Sequence, residues 1–275
     1  MNTNLDNRAS TPLPSGEGLG GGSAYIAPNA RIGNNCKIFP FVYIEDDVVI
    51  GDNCIIFPFV SILNGTRMGA GNKVHQGAVI AALPQDFQFR GEKSLCVIGD
   101  NNVIRENVVI NRATHAGGQT IIGNGNFLME GSHVSHDTVI GDNCVLGYGT
   151  KIAGDCVIGN GVIFSSSVIA NANTRVGEGS MIQAGCTFSK DVPPYIVAGG
   201  KPVEYHGPNT TMMTAYGIDE KLQKHIANAY RLVFNGQNSV FDAVLQINDQ
   251  VPDSPEIRNI VNFINDTRQG IIGKK

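Results

Sequence analysis

The chain has 275 residues with a formal net charge of −4, 42% hydrophobic residues and 16% charged ones. That length holds a large core with room for an appendage, and that balance belongs to a globular chain. The mild acidity leaves no electrostatic footprint for nucleic acid or an anionic membrane surface. No stretch approaches a membrane span, so a soluble, cytoplasmic protein is expected.

In chain order, residues 1–23 (MNTNLDNRASTPLPSGEGLGGGS) have no apolar run that could serve as a signal peptide or anchor. Their Pro, Gly and Ser content predicts a flexible tail. From Ile26 a period of six takes over, landing on Ile32, Ile38, Ile44, Ile50, Ile56, Ile62, Met68, Val74 and Ile80. It returns at Ile98, Ile104 and Ile110, and again from Ile122 through Leu128, Val134, Ile140, Leu146 and Ile152 to Phe188. Neither a helix nor plain strand alternation selects every sixth residue. A coil with three flat faces does, if each face turns one aliphatic side chain inward.

Four places after each aliphatic, the residue is again restricted and mostly small: Val48, Val60, Thr66, Ala78, Val108, Ser132, Thr138 and Thr150 among them. Such residues fit beside the aliphatics in a narrow bore. Five of the six cysteines (Cys36, Cys54, Cys144, Cys156 and Cys186) fall at this position, and Cys96 falls in the same register. None forms a CxxC pair, so buried structural thiols are expected rather than a zinc site or a disulfide framework. The fold expected for residues 24–207 is therefore a parallel β-helix. At about eighteen residues per coil it has about ten coils and is about 45–50 Å long.

Two segments break the rhythm, at residues 81–97 and 111–121, and interruptions of a regular scaffold are where binding residues gather. Between the second break and the later coils stands LMEGSHVSHDTVIGDNC, with His133 and His136 three apart and Asp137 directly after. By the hexad register both histidines lie outside the bore, and the carboxylate can fix one imidazole tautomer for proton transfer. Zinc is disfavoured, because His75, His115, His206 and His225 lie off the rhythm that a ligand set needs. No metal or cofactor is expected. DVPPYIVAGGKP closes the repeat, and residues 208–275 read as a small helical unit. Helices are expected after Asp219, Ser239 and Ser254-Pro255.

Hexads such as Ile140-Gly141-Asp142-Asn143-Cys144-Val145 resemble those of the hexapeptide-repeat transferases. That resemblance implies a left-handed coil and a homotrimer with active sites between prisms. Over residues 24–271 the chain resembles, more specifically, the UDP-N-acetylglucosamine O-acyltransferases that open lipid A synthesis. PQDFQFRGE, IRENVVINRAT, FLMEGSHVSHD, DVPPYIVAGG, IANAYRLVF and PEIRNIVNFINDTRQGII carry it, in order and at the family's spacing.

The resemblance implies that His136 is the general base for a sugar 3-hydroxyl attacking an acyl thioester, that Asp137 orients it, and that Gly154 supplies an oxyanion N–H. It implies further that His133 contacts substrate, that Asp86 in the first loop binds the sugar and that Asn209 lies on the nucleotide side; Gln88, in place of a loop lysine, is expected to bind substrate as well. The donor implied is a 3-hydroxyacyl chain on acyl carrier protein. The chain departs from the family pattern at Gln88, Asn111, Asp155, Asn171, Ala172, Ala215 and Tyr216, where histidines, cationic residues or, at 172, a glutamine are usual. Those losses leave open a different UDP-amino sugar, such as a 3-amino analogue, or a non-catalytic binding trimer.

Overall fold

The computed structural model describes residues 23–235 and 239–273; all of the expected tail except Ser23 lies outside them. Short strands recur in threes and stack into three parallel sheets, the faces of a prism. The first face runs through nine strands from Tyr25–Ile26 to Thr187–Phe188, and the second through eight from Arg31–Ile32 to Arg175–Val176. The third starts at Lys37–Ile38. It ends with Ile196–Gly199, paired antiparallel with Glu204–Pro208 to make ten strands. Rungs pair in register, as in Tyr43↔Ser61 and Val109↔His133.

Nine rungs on the first face give a prism about 38 Å long at one strand spacing per rung, shorter than expected. The difference is residues spent on the interruptions. One occupies residues 83–94, between strands Val79–Ala82 and Leu95–Ile98. The other occupies residues 112–118, between Val109–Asn111 and Gln119–Ile122.

The period-six aliphatics form the core, with Ile44, Ile56, Ile62, Val74, Ile80, Ile104, Val134 and Leu146 fully buried. Ile26, Ile32 and Ile38 are only half-buried, as befits an end coil. Each corner needs one left-handed residue, three places after the aliphatic. Asn35, Asn53, Asn101, Asn107, Asp137, Asn143 and Asp155 supply it with φ of 55–60°. Asn and Asp tolerate that conformation better than other non-glycine residues, which explains their recurrence. Phe41 (φ 63°) and Phe59 (φ 64°) occupy the same conformation without that tolerance. They stack on each other at 5.2 Å and remain largely exposed.

The small-residue column is not uniformly apolar. Asn72, Asn102 and Asn126 stand in the bore between Cys54 and Cys144. The N–H groups of Asn102, Asn126 and Cys144 donate to the side-chain oxygen of the asparagine one rung below, at 2.9, 2.8 and 2.7 Å. A buried amide is tolerated where the ladder satisfies it.

Four helices follow the prism: α1 (Thr210–Ala215), α2 (Glu220–Asn235), α3 (Val240–Gln250) and α4 (Pro255–Asn265). Asp219, Ser239 and Ser254 cap the last three as expected. α1 was not expected, because six residues are too few to show a period. Ile226, Ala229 and Tyr230 on α2 are fully buried, and the Tyr230 hydroxyl donates to Pro194 O at 2.5 Å. Thr267 donates to Asp191 at 2.7 Å. These contacts close the C-terminal end of the coil, which a solenoid needs.

Candidate active site

Both interruptions leave the prism at one corner, the passage from first face to second. Two rungs on from the first loop and one on from the second, that corner carries His136-Asp137. The next rung carries Gly154-Asp155, and the one after it Asn171-Ala172. Stacking therefore gathers residues that lie far apart in the chain.

Asp137 is the left-handed corner residue, φ 56°. Its backbone N–H donates to Thr120 Oγ1 at 2.9 Å, and its Oδ2 accepts the Thr114 N–H at 2.8 Å. The same oxygen lies 2.9 Å from His136 Nδ1. A carboxylate oxygen so placed accepts from the ring, which puts the imidazole proton on Nδ1 and leaves the Nε2 lone pair free. His136 is 14% exposed, and its Nε2 lies 3.8 Å from Asp86 Oδ2, on the first loop. Asp86 in turn accepts the Gln88 N–H at 2.9 Å. That bond, with the neighbouring histidines His136 and His115, holds its carboxyl below the usual range.

Gly154 lies close against the ring. A Cβ there would stand 2.4 Å from His136 Cε1 and 2.7 Å from Nε2. Only a glycine lets the backbone approach the imidazole this closely. The Gly154 N–H has no intramolecular acceptor among the described residues. His133 lies on the outer side of the first face, half-buried. Desolvation lowers its pKa first, and Lys151 and His136 add to the effect. Asp155, beyond Gly154, has its carboxyl raised by burial and by Asp137.

Other singled-out residues are placed differently. Gln88 is exposed and contributes its backbone N–H to Asp86. Asn111 is buried at the root of the loops and donates to Leu83 O at 2.7 Å. Asn171 and Ala172 are exposed on the corner. Asn209 is buried: it caps α1 by accepting the Met212 N–H and donates to Gly179 O at 2.9 Å. Ala215 and Tyr216 end the same helix. The Tyr216 hydroxyl rests against Gly161, where a Cβ would stand 1.5 Å from it. Gly161 and Gly179 belong to the corner from second face to third, so one protomer does not bring Asn209, Ala215 and Tyr216 to His136. Thr114 and Thr120, which hold Asp137, were not foreseen. Nothing in an irregular loop signals which backbone N–H will meet a corner carboxylate.

Two family models match this chain. "Bacterial transferase hexapeptide (six repeats)" covers residues 29–56, 47–82 and 119–154, and "Udp N-acetylglucosamine O-acyltransferase; Domain 2" covers 191–272. The acyl-[acyl-carrier-protein]–UDP-N-acetylglucosamine O-acyltransferase of Xanthomonas euvesicatoria is 42% identical over 247 residues, 88% of this chain and 93% of its own length. The chain belongs to the UDP-N-acetylglucosamine O-acyltransferase family. The Chlamydia abortus member is 34% identical over 250 residues, 90% of each chain. The crystal structure of the UDP-N-acetylglucosamine acyltransferase of Bacteroides fragilis superposes with a TM-score of 0.88 at 49% identity, covering 90% of this chain and 98% of that one. The fold is accordingly the left-handed parallel β-helix with a C-terminal helical extension. Within this O-acyltransferase, His136, Asp137 and Gly154 all lie inside the third matched hexapeptide stretch, and Asn209 lies inside the second-domain match.

Proposed function

We propose that the His136 corner transfers a 3-hydroxyacyl chain from acyl carrier protein to the 3-hydroxyl of UDP-N-acetylglucosamine, opening lipid A synthesis in the cytoplasm. The observation that carries it is the His136 ring, held by Asp137 at 2.9 Å on one nitrogen and flanked by the Gly154 backbone. A sugar hydroxyl is a weak nucleophile, and a positioned base contributes typically about 10²–10⁴-fold. His136 Nε2 takes the hydroxyl proton as the sugar oxygen bonds to the thioester carbonyl carbon. The carbonyl oxygen becomes an oxyanion, for which the unpartnered Gly154 N–H is a donor, worth about 10²–10³-fold by analogy with other oxyanion holes. Collapse breaks the carbon–sulfur bond, and the departing thiolate takes the proton from the imidazolium. Asp137 keeps its hold on Nδ1 and steadies the charged ring.

On this reading Asp86 and His133 bind the sugar beside Nε2, with Gln88 at the mouth. Asn209 acts from the second-to-third corner, where its side chain holds α1 in place for the nucleotide side. That corner and the His136 corner meet only if neighbouring prisms pack side by side. We therefore include a homotrimer in the proposal, with residues 24–207 forming the scaffold and residues 208–275 the appended helical unit. The exposed stacks Tyr25–Tyr43 and Phe41–Phe59 support association, because solvent-facing apolar clusters of this kind mark interfaces. The test is turnover of purified protein with a panel of acyl carrier protein thioesters and UDP-N-acetylglucosamine beside its 3-amino analogue. Acylation of the 3-hydroxyl substrate is expected; exclusive use of the analogue overturns the substrate, and no turnover with either overturns the reaction.

A further inference from the structure

Five of the six cysteines are buried along the bore: Cys54, Cys96, Cys144, Cys156 and Cys186. Desolvation pushes up the thiols of Cys96, to about 12, of Cys144, to about 11, and of Cys156 and Cys186. Cys36 differs in both respects. It is half-buried, at the N-terminal end of its column, and no described residue covers it from below. One rung above it, in the same column, stands Cys54, because the strands that follow the two cysteines pair Lys37 with Ile55.

In the reduced form each thiol donates toward a carbonyl of the coil above: Cys36 to Gly51 O at 3.1 Å and Cys54 to Gly69 O at 3.3 Å. When Cys36 ionises, the Cys54 S–H is the donor beside it. That hydrogen bond brings Cys36 down to about 7, against the opposing effects of burial and the Asp52 carboxylate. The same bond pushes the Cys54 thiol up. A thiolate that is partly accessible and hydrogen-bonded is the reactive kind.

We propose that Cys36 and Cys54 are a peroxide-oxidisable thiol pair that staples the terminal coil of the prism to the next. The Cys36 thiolate attacks hydrogen peroxide, the O–O bond breaks, and Cys36 becomes a sulfenic acid while hydroxide leaves. Cys54 then bonds to that sulfur and the sulfenic hydroxyl departs with the Cys54 proton as water, leaving a disulfide. Oxidation of Cys36 also removes the thiolate that held the Cys54 proton, so the second thiol is freed to react. One rung separates the two Cα atoms by about 4.8 Å, within the about 4.4–6.8 Å that disulfides span. Cys36 lies five rungs and Cys54 four, about 24 and about 19 Å, from the His136 rung, so the chemistry of the pair is independent of acyl transfer.

The full chain is treated with hydrogen peroxide near neutral pH, quenched, alkylated under denaturing conditions and mapped by mass spectrometry. The expected product joins the Cys36 and Cys54 peptides with the loss of two hydrogens, while the other four cysteines alkylate normally. Amide exchange in residues 24–38 should slow by at least about tenfold on oxidation, since the bridge closes a loop through the half-buried end coil. In Cys54→Ala, which removes the donor, dimedone should trap a sulfenic acid on Cys36, and the pH midpoint of Cys36 reactivity should move up from about 7 toward that of an ordinary thiol. Oxidation spread evenly over six cysteines overturns the proposal, as does a Cys36 sulfinic acid formed with Cys54 still free. An unchanged midpoint in Cys54→Ala refutes the role of the hydrogen bond.

Discussion

Replacing Gly154 by alanine is the smallest change that should stop the chemistry. The added Cβ would stand 2.4 Å from His136 Cε1, whereas ordinary contact begins at 3.4 Å, so the ring or the Gly154 backbone must move by 1.0 Å (3.4 minus 2.4). Backbone conformation does not forbid alanine, because Gly154 is not among the positive-φ glycines. The backbone at Gly154 is tied into the coil through Asn173 N–H to Gly154 O at 3.0 Å, so the imidazole yields first. A misplacement of about 1 Å in a reacting group costs on the order of 10²-fold. Turnover should therefore fall at least about 10²-fold with the melting temperature nearly unchanged, measured as kcat with acyl carrier protein thioester and UDP-N-acetylglucosamine. Because both substitutions act through one ring, Gly154→Ala and His136→Ala together should be little worse than either alone. Turnover in Gly154→Ala within about threefold of wild type would show that the ring does not act as the base.

His136→Ala should lower turnover by at least about 10²-fold while leaving the melting transition intact. Asp137→Asn should be milder, since the Thr114 N–H contact to position 137 can survive and only the hold on Nδ1 weakens. Asp155 has a raised folded-state pKa, so relative to asparagine the native carboxyl favours folding only at low pH. Asp155→Asn should therefore melt at the same temperature as wild type below the usual aspartate range and higher above the raised value, as read by melting at pH 3 to 8. Light scattering should give close to 88 kDa, three times 29.2 kDa, and a monomer at micromolar concentration would refute the proposed cleft between the two corners.

The prism was legible because its bore punishes exceptions: a charged residue at Ile104 or Val134 would have no partner, so the six-residue rhythm survives in plain view. The corners were half-legible. Asn and Asp mark the left-handed positions, but Phe41 and Phe59 take the same backbone at a cost that composition does not reveal. The asparagine column escaped notice for the opposite reason, since each amide is acceptable only through its neighbour a rung away. His136 and Asp137 could be paired from sequence because they are adjacent. Thr114 and Thr120 could not, since their contacts cross between loop and coil. The position of Asn209 at a different corner from His136 was also invisible, because register along the chain says nothing of which edge the returning α1 crosses.

After each interruption the strand re-enters the stack without slipping: Leu95↔Gln119 through Ile98↔Ile122 align residue for residue across both loops. Loop length and lattice position are thereby decoupled. Descendants of this chain can lengthen, shorten or rewrite residues 83–94 and 112–118 while the ladder above and below keeps its spacing. Changes of acceptor or donor should therefore accumulate as edits to one edge, and homologues with different substrates should superpose along the coils and diverge at that edge alone.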